Sequence, residues 1–416
     1  MALVAPVPAI IISLCFLGIL LYKRLNLGIV LNATALLLAL LALDWQEIPT
    51  VVYETSGDLL TISVVLATFG IMLLSQLYKE TSLIDDLSEN FVRIIKNSKI
   101  VLSVLPAVIG LLPVAGGALM SAPLVDLEAE KLKLKPDKKA YVNLWFRHTI
   151  FPVYPISQVL IVAAASTGTP ISTMIIRQIP VVIVMVIVGY IVGFWRVSTP
   201  KNKEESSQKQ TANSASRSLT VAFSPILATI VVAIGIELSG LGLAEKGLDV
   251  ALAAFAGVTV LVLITKPSLK TFSKPFRGWG IYGITFAAYG AFFLRKTILA
   301  TGIPEIFKSS IVANGSIDIT LLLIVVPAAL GFLTASALGG VAVSVPILAG
   351  ILGTFSARTA SLLYMSAYLG YVIAPTHLCL AFTADYFKCS LAKVYKYVIP
   401  SFLITYATVL LIYFLV

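Results

Sequence analysis

The sequence predicts an all-α polytopic membrane protein with two inverted repeats of five transmembrane helices. Each repeat is predicted to carry a re-entrant hairpin and a proline-broken helix. Apolar composition, a motif that occurs twice, and one-sided positive charge support this fold class. Of 416 residues, 58% are hydrophobic and 12% are charged, whereas soluble domains have about 25% charged residues. Repeated apolar runs long enough to cross a bilayer exclude an ordinary soluble protein.

The first apolar run predicts a retained span. No positive segment precedes it, and Lys23 and Arg24 follow it, which is not the pattern of a cleaved signal peptide. The three cysteines, Cys15, Cys379 and Cys389, are too few and too scattered to predict a disulfide framework or a metal cluster.

Apolar runs predict five spans in each half of the chain. In the first repeat, residues 1–197, the spans are 4–22, 28–44, 59–78, 140–163 and 174–195. In the second repeat, residues 219–416, they are 219–237, 247–265, 280–300, 359–383 and 395–415. The polar segment 198–218 predicts a flexible cytoplasmic linker. Apolar side chains at helical spacing among the charges of residues 80–98 predict an interfacial helix.

One motif, Gly-Gly-x-x-x-Ser-x-Pro, occurs at residues 116–123 and again at 339–346, an offset of 223 residues. The same offset places Pro152 on Pro375. Each motif therefore predicts a glycine-rich bend that is followed, about thirty residues later, by a proline inside an apolar span.

The two motifs lie in the apolar stretches 100–125 and 318–352, which glycine and proline interrupt. Each stretch predicts a re-entrant hairpin that enters and leaves the membrane on one side. Non-helical backbone at this depth is tolerated only inside protein or beside a water-filled cavity. The hairpins therefore indicate a transport site.

Positive charge lies on one side of this topology. Of the 30 Lys and Arg residues, 23 fall in loops predicted to share one face, and three fall in the opposite loops. The positive-inside rule makes the first face cytoplasmic and places both termini outside. Topology thus accounts for the net charge of +10, and no nucleic-acid partner is expected. An odd number of spans per repeat orients the repeats oppositely, which is typical of secondary transporters.

Prolines interrupt the fourth span of each repeat. Pro152 cannot donate to the carbonyl of His148, and Pro375 cannot donate to that of Tyr371. Freed carbonyls can bind Na⁺, and the N-terminus of the next half-helix can bind an anion. A simple proline kink is the alternative. We expect Na⁺ at the backbone carbonyls near Gly116, His148, Gly339 and Tyr371.

The candidate binding residues lie around the two bends and the two breaks. The serines could contact a ligand or pack helices. The only two histidines, His148 and His377, could relay a proton, donate to an anion, or be structural. Arg147 lies inside a span, where an unpaired charge is costly, so its side chain is expected to be paired, to extend to the cytoplasm or to bind substrate. The full set is Gly116, Gly117, Ser121, Arg147, His148, Thr149, Pro152, Tyr154, Thr334, Ser336, Gly339, Gly340, Ser344, Pro375, Thr376 and His377.

Absent motifs narrow the function. No acidic residue lies in the middle of a span, which favours an anion over a cation as substrate. No P-loop and no His-Glu-x-x-His motif occurs, so neither ATP coupling nor an intramembrane metalloprotease is indicated. The leading hypothesis is a secondary active transporter of a small organic or inorganic anion, coupled to Na⁺ or H⁺ and needing no other cofactor. The alternatives are a cation/proton antiporter on the same scaffold and an intramembrane enzyme that uses a histidine with Arg147.

The runs Ala374-Pro-Thr-His-Leu-Cys379 and Leu112-Pro-Val-Ala-Gly-Gly117 resemble an uncharacterised prokaryotic branch of the ion transporter superfamily. Gluconate permeases, C4-dicarboxylate carriers and divalent-anion/sodium symporters belong to that superfamily. The resemblance implies a homodimer in the cell inner membrane, in which a transport domain moves against a scaffold by elevator-type alternating access. The Ser-Asn-Thr signature of the divalent-anion branch is absent from both hairpins, so the motif does not indicate a dicarboxylate or sodium.

Cysteine labelling tests the hairpin topology. With the native cysteines replaced, single cysteines just before residue 100 and just after residue 125 should both react with an impermeant maleimide from the cytoplasmic face. Both ends of a re-entrant hairpin share one face. A cysteine in place of Arg358, which lies in an opposite loop, should react only from outside. Reaction of the two hairpin positions from opposite faces would contradict the topology.

Overall fold

The computed structural model describes residues 2–23, 25–95, 97–111, 117–198, 217–243, 247–303, 305–306, 309 and 318–415. Within these residues the regular elements are helical and no strand occurs. Six helices are long and apolar enough to cross a membrane: Leu59–Glu80, the interrupted Pro136–Thr167, Ile171–Phe194, Leu219–Leu238, Leu248–Thr265 and Leu391–Leu415. The all-α polytopic fold class is confirmed.

Every predicted span coincides with a helix, or with two helices where a break was predicted. The first half contains α1 Pro6–Tyr22, α2 Leu27–Ala42, α3 Ile48–Gly57, α4 Leu59–Glu80, α5 Leu83–Ile94, α6 Ser98–Gly110, α7 Ala118–Lys131, α8 Pro136–Thr149, α9 Gln158–Thr167 and α10 Ile171–Phe194. The second half contains α11 Leu219–Leu238, α12 Leu248–Thr265, α13 Leu269–Ser273, α14 Trp279–Ala300, α15 Ile319–Thr334, α16 Ala337–Leu352, α17 Ala357–Val372, α18 Leu378–Tyr386 and α19 Leu391–Leu415.

The helix bounds differ from the predictions where charged residues continue a helix. Helix α7 ends at Lys131 rather than at residue 125, and α8 begins at Pro136 rather than at 140. Lys139 pairs with Asp126 at 2.6 Å and also with Glu130, so ion pairs join these helix ends outside the apolar segments. Hydropathy cannot detect such turns. The same limit applies to α3, which was not predicted. Most of the linker, residues 199–216, lies outside the described residues.

The offset of the motif also relates whole helices. Moved by 223 residues, α8 would span 359–372, where α17 spans Ala357–Val372. Moved in the same way, α6 would span 321–333, inside α15 Ile319–Thr334. The order of helices therefore recurs in the two halves. The opposite orientation of the repeats, and the bounds of the repeats as domains, stay predictions.

The helices pack in two groups. One group consists of α1, α2, α4, α11, α12 and α14, which pack on one another. The other contains α6 to α10 and α15 to α19. Helix α14 packs on α16, and α4 packs on α9, across the boundary between the groups. Both predicted hairpins and both broken helices therefore lie in the second group.

Glycine allows backbone contact between α15 and α17. A Cβ atom at Gly331 would lie 2.1 Å from the carbonyl oxygen of Ala367, and one at Gly370 would lie 2.1 Å from that of Ala328. Small residues at helix contacts are typical of membrane proteins, because close packing replaces the hydrophobic driving force between helices. These two glycines allow α15 to pack in direct backbone contact with α17, the first half of the second broken helix.

Replacing one of these glycines should loosen the second group. In Gly370→Ala the added methyl group must displace backbone, so we expect destabilisation of about 1–3 kcal/mol, seen as a lower thermal unfolding midpoint in detergent. Gly235→Ala is the matched control, since Gly235 is also helical and a Cβ there meets nothing within 4 Å. Equal midpoints for the two variants would contradict the close contact.

Candidate functional site

Each hairpin contacts broken helices from both halves of the chain. Hairpin 1 comprises α6 and α7, and it packs on α8 of its own half and on α18 of the other half. Hairpin 2 comprises α15 and α16, and it packs on α17 of its own half and on α9 of the other half. This reciprocal arrangement surrounds the two helix breaks at residues 150–157 and 373–377 with the two hairpins.

Tyrosine hydroxyls donate hydrogen bonds to backbone carbonyls that have lost their helical partners at the first helix break. The hydroxyl of Tyr368 donates to the carbonyl of His148 at 2.6 Å. The hydroxyl of Tyr364 donates to the carbonyl of Phe151 at 3.3 Å. Both tyrosines belong to α17, whereas both carbonyls belong to the break after α8. Buried backbone groups must find partners, so the second half of the chain stabilises the break in the first.

The break after α17 is stabilised from within its own half. The hydroxyl of Tyr395, on α19, donates to the carbonyl of Ile373 at 2.8 Å. The carbonyl of Tyr371 accepts from the N–H of Ala374 at 3.1 Å. Two of the carbonyls where Na⁺ was expected, those of His148 and Tyr371, thus already accept one hydrogen bond each. Each keeps one lone pair, and Na⁺ binding stays a prediction.

The two histidines predicted to lie at the breaks come together. Their ring centroids are 4.8 Å apart and the rings are nearly perpendicular, at 87°. The ring of Tyr371 lies 4.0 Å from that of His377, and its hydroxyl lies 3.4 Å from Nε2 of His148. His148 and Tyr371 are 223 residues apart, which is the offset between the two copies of the motif. The contact therefore joins two positions that this offset relates.

Arg147 lies beside this histidine pair and is only 1% exposed. It belongs to the last turn of α8, and its charge acts on both histidine rings. Its side chain is thus surrounded by protein, which does not favour the alternative in which it extends to the cytoplasm. A buried arginine places a permanent positive charge beside both breaks.

A buried polar cluster joins hairpin 1 to both halves. Ser121 donates its hydroxyl to Oδ1 of Asn143 at 2.6 Å. The amide of Asn143 donates to the carbonyl of Ala118 at 2.9 Å and to the hydroxyl of Thr383 at 3.3 Å. Ser121 was a predicted site residue, whereas Asn143 and Thr383 were not predicted. An asparagine inside an apolar span was a visible signal, because such residues commonly bond across helices.

The hydroxyls predicted in hairpin 2 form bonds inside that hairpin. Ser344 donates to the carbonyl of Gly340 at 2.6 Å, one turn earlier. Thr334 donates to the carbonyl of Leu330 at 2.7 Å, and Ser336 accepts the N–H of Gly339 at 3.1 Å as the N-cap of α16. These side chains therefore shape the turn between α15 and α16.

The other predicted residues occupy turns and helix ends. Thr149 donates its hydroxyl to the carbonyl of Phe146 at 2.8 Å. Tyr154 is buried, whereas Pro375 and Thr376 are exposed in the turn before α18. Pro152 lies in the 3-10 turn Phe151–Val153, Gly117 precedes α7, and Gly116 lies outside the described residues. Gly339 and Gly340 are buried in the first turn of α16, so the bend predicted at this glycine pair is wrong: the chain turns before it, at Ala335 in the left-handed region and Ser336.

The second half of each broken helix begins without a side-chain cap. No side-chain cap bond forms at Ser157, before α9, or at His377, before α18. The amide Nε2 of Gln158, the first residue of α9, is buried without a hydrogen-bond partner. In contrast, Ser336 and Ser356 cap α16 and α17. Uncapped helix N-termini present backbone donors and a partial positive charge.

A cavity of about 510 Å³ lies between the first group of helices and the start of α7. Its lining includes Asn26, Gln76, Lys79 and Gly117. A Cβ at Gly283, also in the lining, would lie 2.4 Å from Nδ2 of Asn26, so the missing side chain leaves room for that amide. This volume is within the range of small-molecule pockets. The polar residues of this lining were not among the predicted site residues.

The tyrosine bond at the first break should contribute measurably to stability. Tyr368→Phe leaves the carbonyl of His148 buried without that donor, so we expect a loss of about 1–3 kcal/mol. The measurement is the thermal unfolding midpoint in detergent. Tyr190→Phe is the control, since Tyr190 is 39% exposed on α10. If Tyr368→Phe unfolds at the wild-type midpoint, the hydroxyl is not needed at the break.

Comparisons with known proteins agree with this fold. No curated protein matches the sequence. The crystal structure of the YdaH transporter from Alcanivorax borkumensis, described as revealing an unusual topology, has a TM-score of 0.53 and 13% identity, over 96% of this chain and 97% of that chain. The two proteins therefore share a fold. One family model matches residues 7–416, and the chain belongs to that family, described as "Protein of unknown function (DUF401)".

Proposed function

We propose that this protein is a secondary active transporter of a small organic or inorganic anion. The observation that carries the proposal is the surroundings of the helix breaks, where hydrogen-bond donors and positive charge predominate. Arg147 is buried there, and the uncapped starts of α9 and α18 present backbone N–H groups. Helix N-termini and arginine are the groups that proteins use to bind carboxylates, phosphates and sulfates.

The buried acids support an anion over a cation. Among the described residues, Glu128 and Asp249 are the buried acids. Glu128 pairs with Lys131 at the end of α7, and Asp249 lies in the first turn of α12 in the other helix group. Neither belongs to a broken helix. A cation/proton antiporter, which needs a carboxylate at its site, is therefore the weaker candidate.

The likeness to the YdaH transporter supports transport in general, since that protein has the same fold. It also makes an intramembrane enzyme the less favoured alternative. The division into two helix groups supports elevator-type movement, because both hairpins and both breaks belong to one group. A homodimer in the cell inner membrane, with both termini outside, completes the proposal. Na⁺ and H⁺ are both retained as coupling ions.

The cavity beside Lys79 supports a path by which the anion reaches hairpin 1 from the cytoplasmic side. It contacts Gly117 at the turn of hairpin 1, and it lies at the end of α4 where the charge distribution predicts cytoplasm. Lysine and amide donors in its lining would attract an anion towards that hairpin. We infer that the anion passes through this cavity on the cytoplasmic side of its path.

Binding by purified protein tests the proposal directly. A panel of small carboxylates, phosphate and sulfate is screened for an increase in the thermal unfolding midpoint, with and without Na⁺ and at two pH values. An anion that binds only the folded state raises the midpoint by mass action. The anion that binds is then followed into proteoliposomes under a Na⁺ or a pH gradient.

Variants of Arg147 test whether this side chain belongs to the proposed anion-binding site. Arg147→Gln is expected to abolish both the thermal shift and uptake. Arg147→Lys is expected to retain part of each, because lysine keeps the positive charge but lacks the planar guanidinium group that can donate two parallel hydrogen bonds. Arg295→Gln is the control, since Arg295 is another arginine within a predicted span but belongs to α14 in the other helix group. Undiminished anion binding by folded Arg147→Gln would contradict the proposed site.

A further inference from the structure

Three metal-ligating side chains meet where the two breaks adjoin. His148, His377 and Cys379 are all buried, and one ligand atom from each lies within 4.8 Å of the others. His148 comes from the first half of the chain, whereas His377 and Cys379 come from the start of α18. Cysteine spacing alone did not predict a metal site, because the fold brings in the ligand from the distant half.

A hydrogen bond at Nδ1 of His148 leaves the lone pair of Nε2 available to bind a metal ion. Nδ1 lies 2.7 Å from the carbonyl oxygen of Leu144. A carbonyl only accepts, so Nδ1 carries the hydrogen and Nε2 keeps its lone pair. Metal-binding histidines are typically oriented by such a bond from the other ring nitrogen. The nearest partner of Nε2, the hydroxyl of Tyr371, is 3.4 Å away, which is a long contact for a hydrogen bond.

His377 provides the second nitrogen ligand. Its side chain is 1% exposed. Neither Nδ1 nor Nε2 makes a hydrogen bond of normal geometry, although the backbone of Val372 lies close enough to act on the ring. Buried polar atoms without partners are rare in native structures and call for an explanation such as a bound ion. Coordination of a metal would engage one of these two nitrogens.

We propose that His148, His377 and Cys379 bind one Cu(I) ion. Two imidazole nitrogens and one sulfur suit a soft ion of low coordination number, and thiolate and imidazole ligands together favour copper and zinc among the common metals. On binding, the thiol of Cys379 releases its proton to the buffer and its sulfur donates an electron pair to copper, with no change of oxidation state. From the distances usual for nitrogen and sulfur ligands, the three atoms need to approach by about 1 Å.

Charge decides between Cu(I) and Zn²⁺. Cu(I) with one thiolate is neutral, whereas Zn²⁺ with one thiolate has a net charge of +1. The charge of Arg147 already acts on both histidines, and two positive charges repel strongly in a buried site. The neutral combination is therefore favoured. The bound ion would join the break of the first half to that of the second. This inference does not require transport.

Copper binding is measured on the purified full-length protein in detergent. Under anaerobic conditions, Cu(I) is titrated in competition with the chromophoric chelator bathocuproine disulfonate. We expect one equivalent per chain to be retained by wild type and by Cys15→Ser/Cys389→Ser, which removes the two other cysteines. Cys379→Ser and His377→Gln should each weaken retention at least tenfold. No retained copper in wild type, unchanged retention in folded Cys379→Ser, or replacement of Cu(I) by equimolar Zn²⁺ would overturn the proposal.

A second measurement does not depend on variants of the ligands. X-ray absorption at the copper edge, recorded on the copper-loaded Cys15→Ser/Cys389→Ser protein, should show two nitrogen neighbours and one sulfur neighbour. Copper without a sulfur neighbour would contradict the assignment. Failure of anion transport would leave both copper measurements unchanged, so the two proposals are tested separately.

Discussion

The structure depends on satisfying backbone groups where two membrane helices are broken. In a bilayer an unpaired carbonyl has no water to accept from, so a break persists only when the protein supplies donors. Tyr368 and Tyr364, on α17, donate to the carbonyls of His148 and Phe151. The break in the first half thus exists because the second half is folded against it. This dependence explains why the two broken helices lie next to each other.

Reciprocal packing extends the same dependence to the hairpins. Each hairpin contacts the first half of its own broken helix and the second half of the other one. Gly331 and Gly370 bring hairpin 2 into backbone contact with α17, whereas the cluster of Ser121, Asn143 and Thr383 attaches hairpin 1 to α8 and α18. Glycine packing occurs in the first half too, since a Cβ at Gly110 on α6 would lie 2.8 Å from the carbonyl oxygen of Arg147. Hairpin 1 adds the buried hydrogen bonds that reach both α8 and α18.

Much of the fold could be predicted because lipid imposes simple rules. Apolar length located the spans, and the prolines located both breaks, since neither signal depends on distant residues. The site was less predictable. His148, His377 and Arg147 were identified as rare polar residues in apolar spans. Asn143 and Cys379 were not predicted, because the polar groups that they face lie more than two hundred residues away in the chain.

The sequence by itself determined the membrane class, the helix order and the positions of the two breaks, because composition and the prolines at the 223-residue offset are properties of the chain alone. The turn of hairpin 2 was not placed correctly, since it lies at Ala335 and Ser336, before the glycine pair. Only the tertiary structure decided which partner each polar group has. It assigned Ser344 to its own helix and Ser121 to Asn143, although the two serines occupy equivalent positions. Hydrogen bonds and metal ligation act over about 2–3 Å, and only the packing of both halves sets distances on that scale.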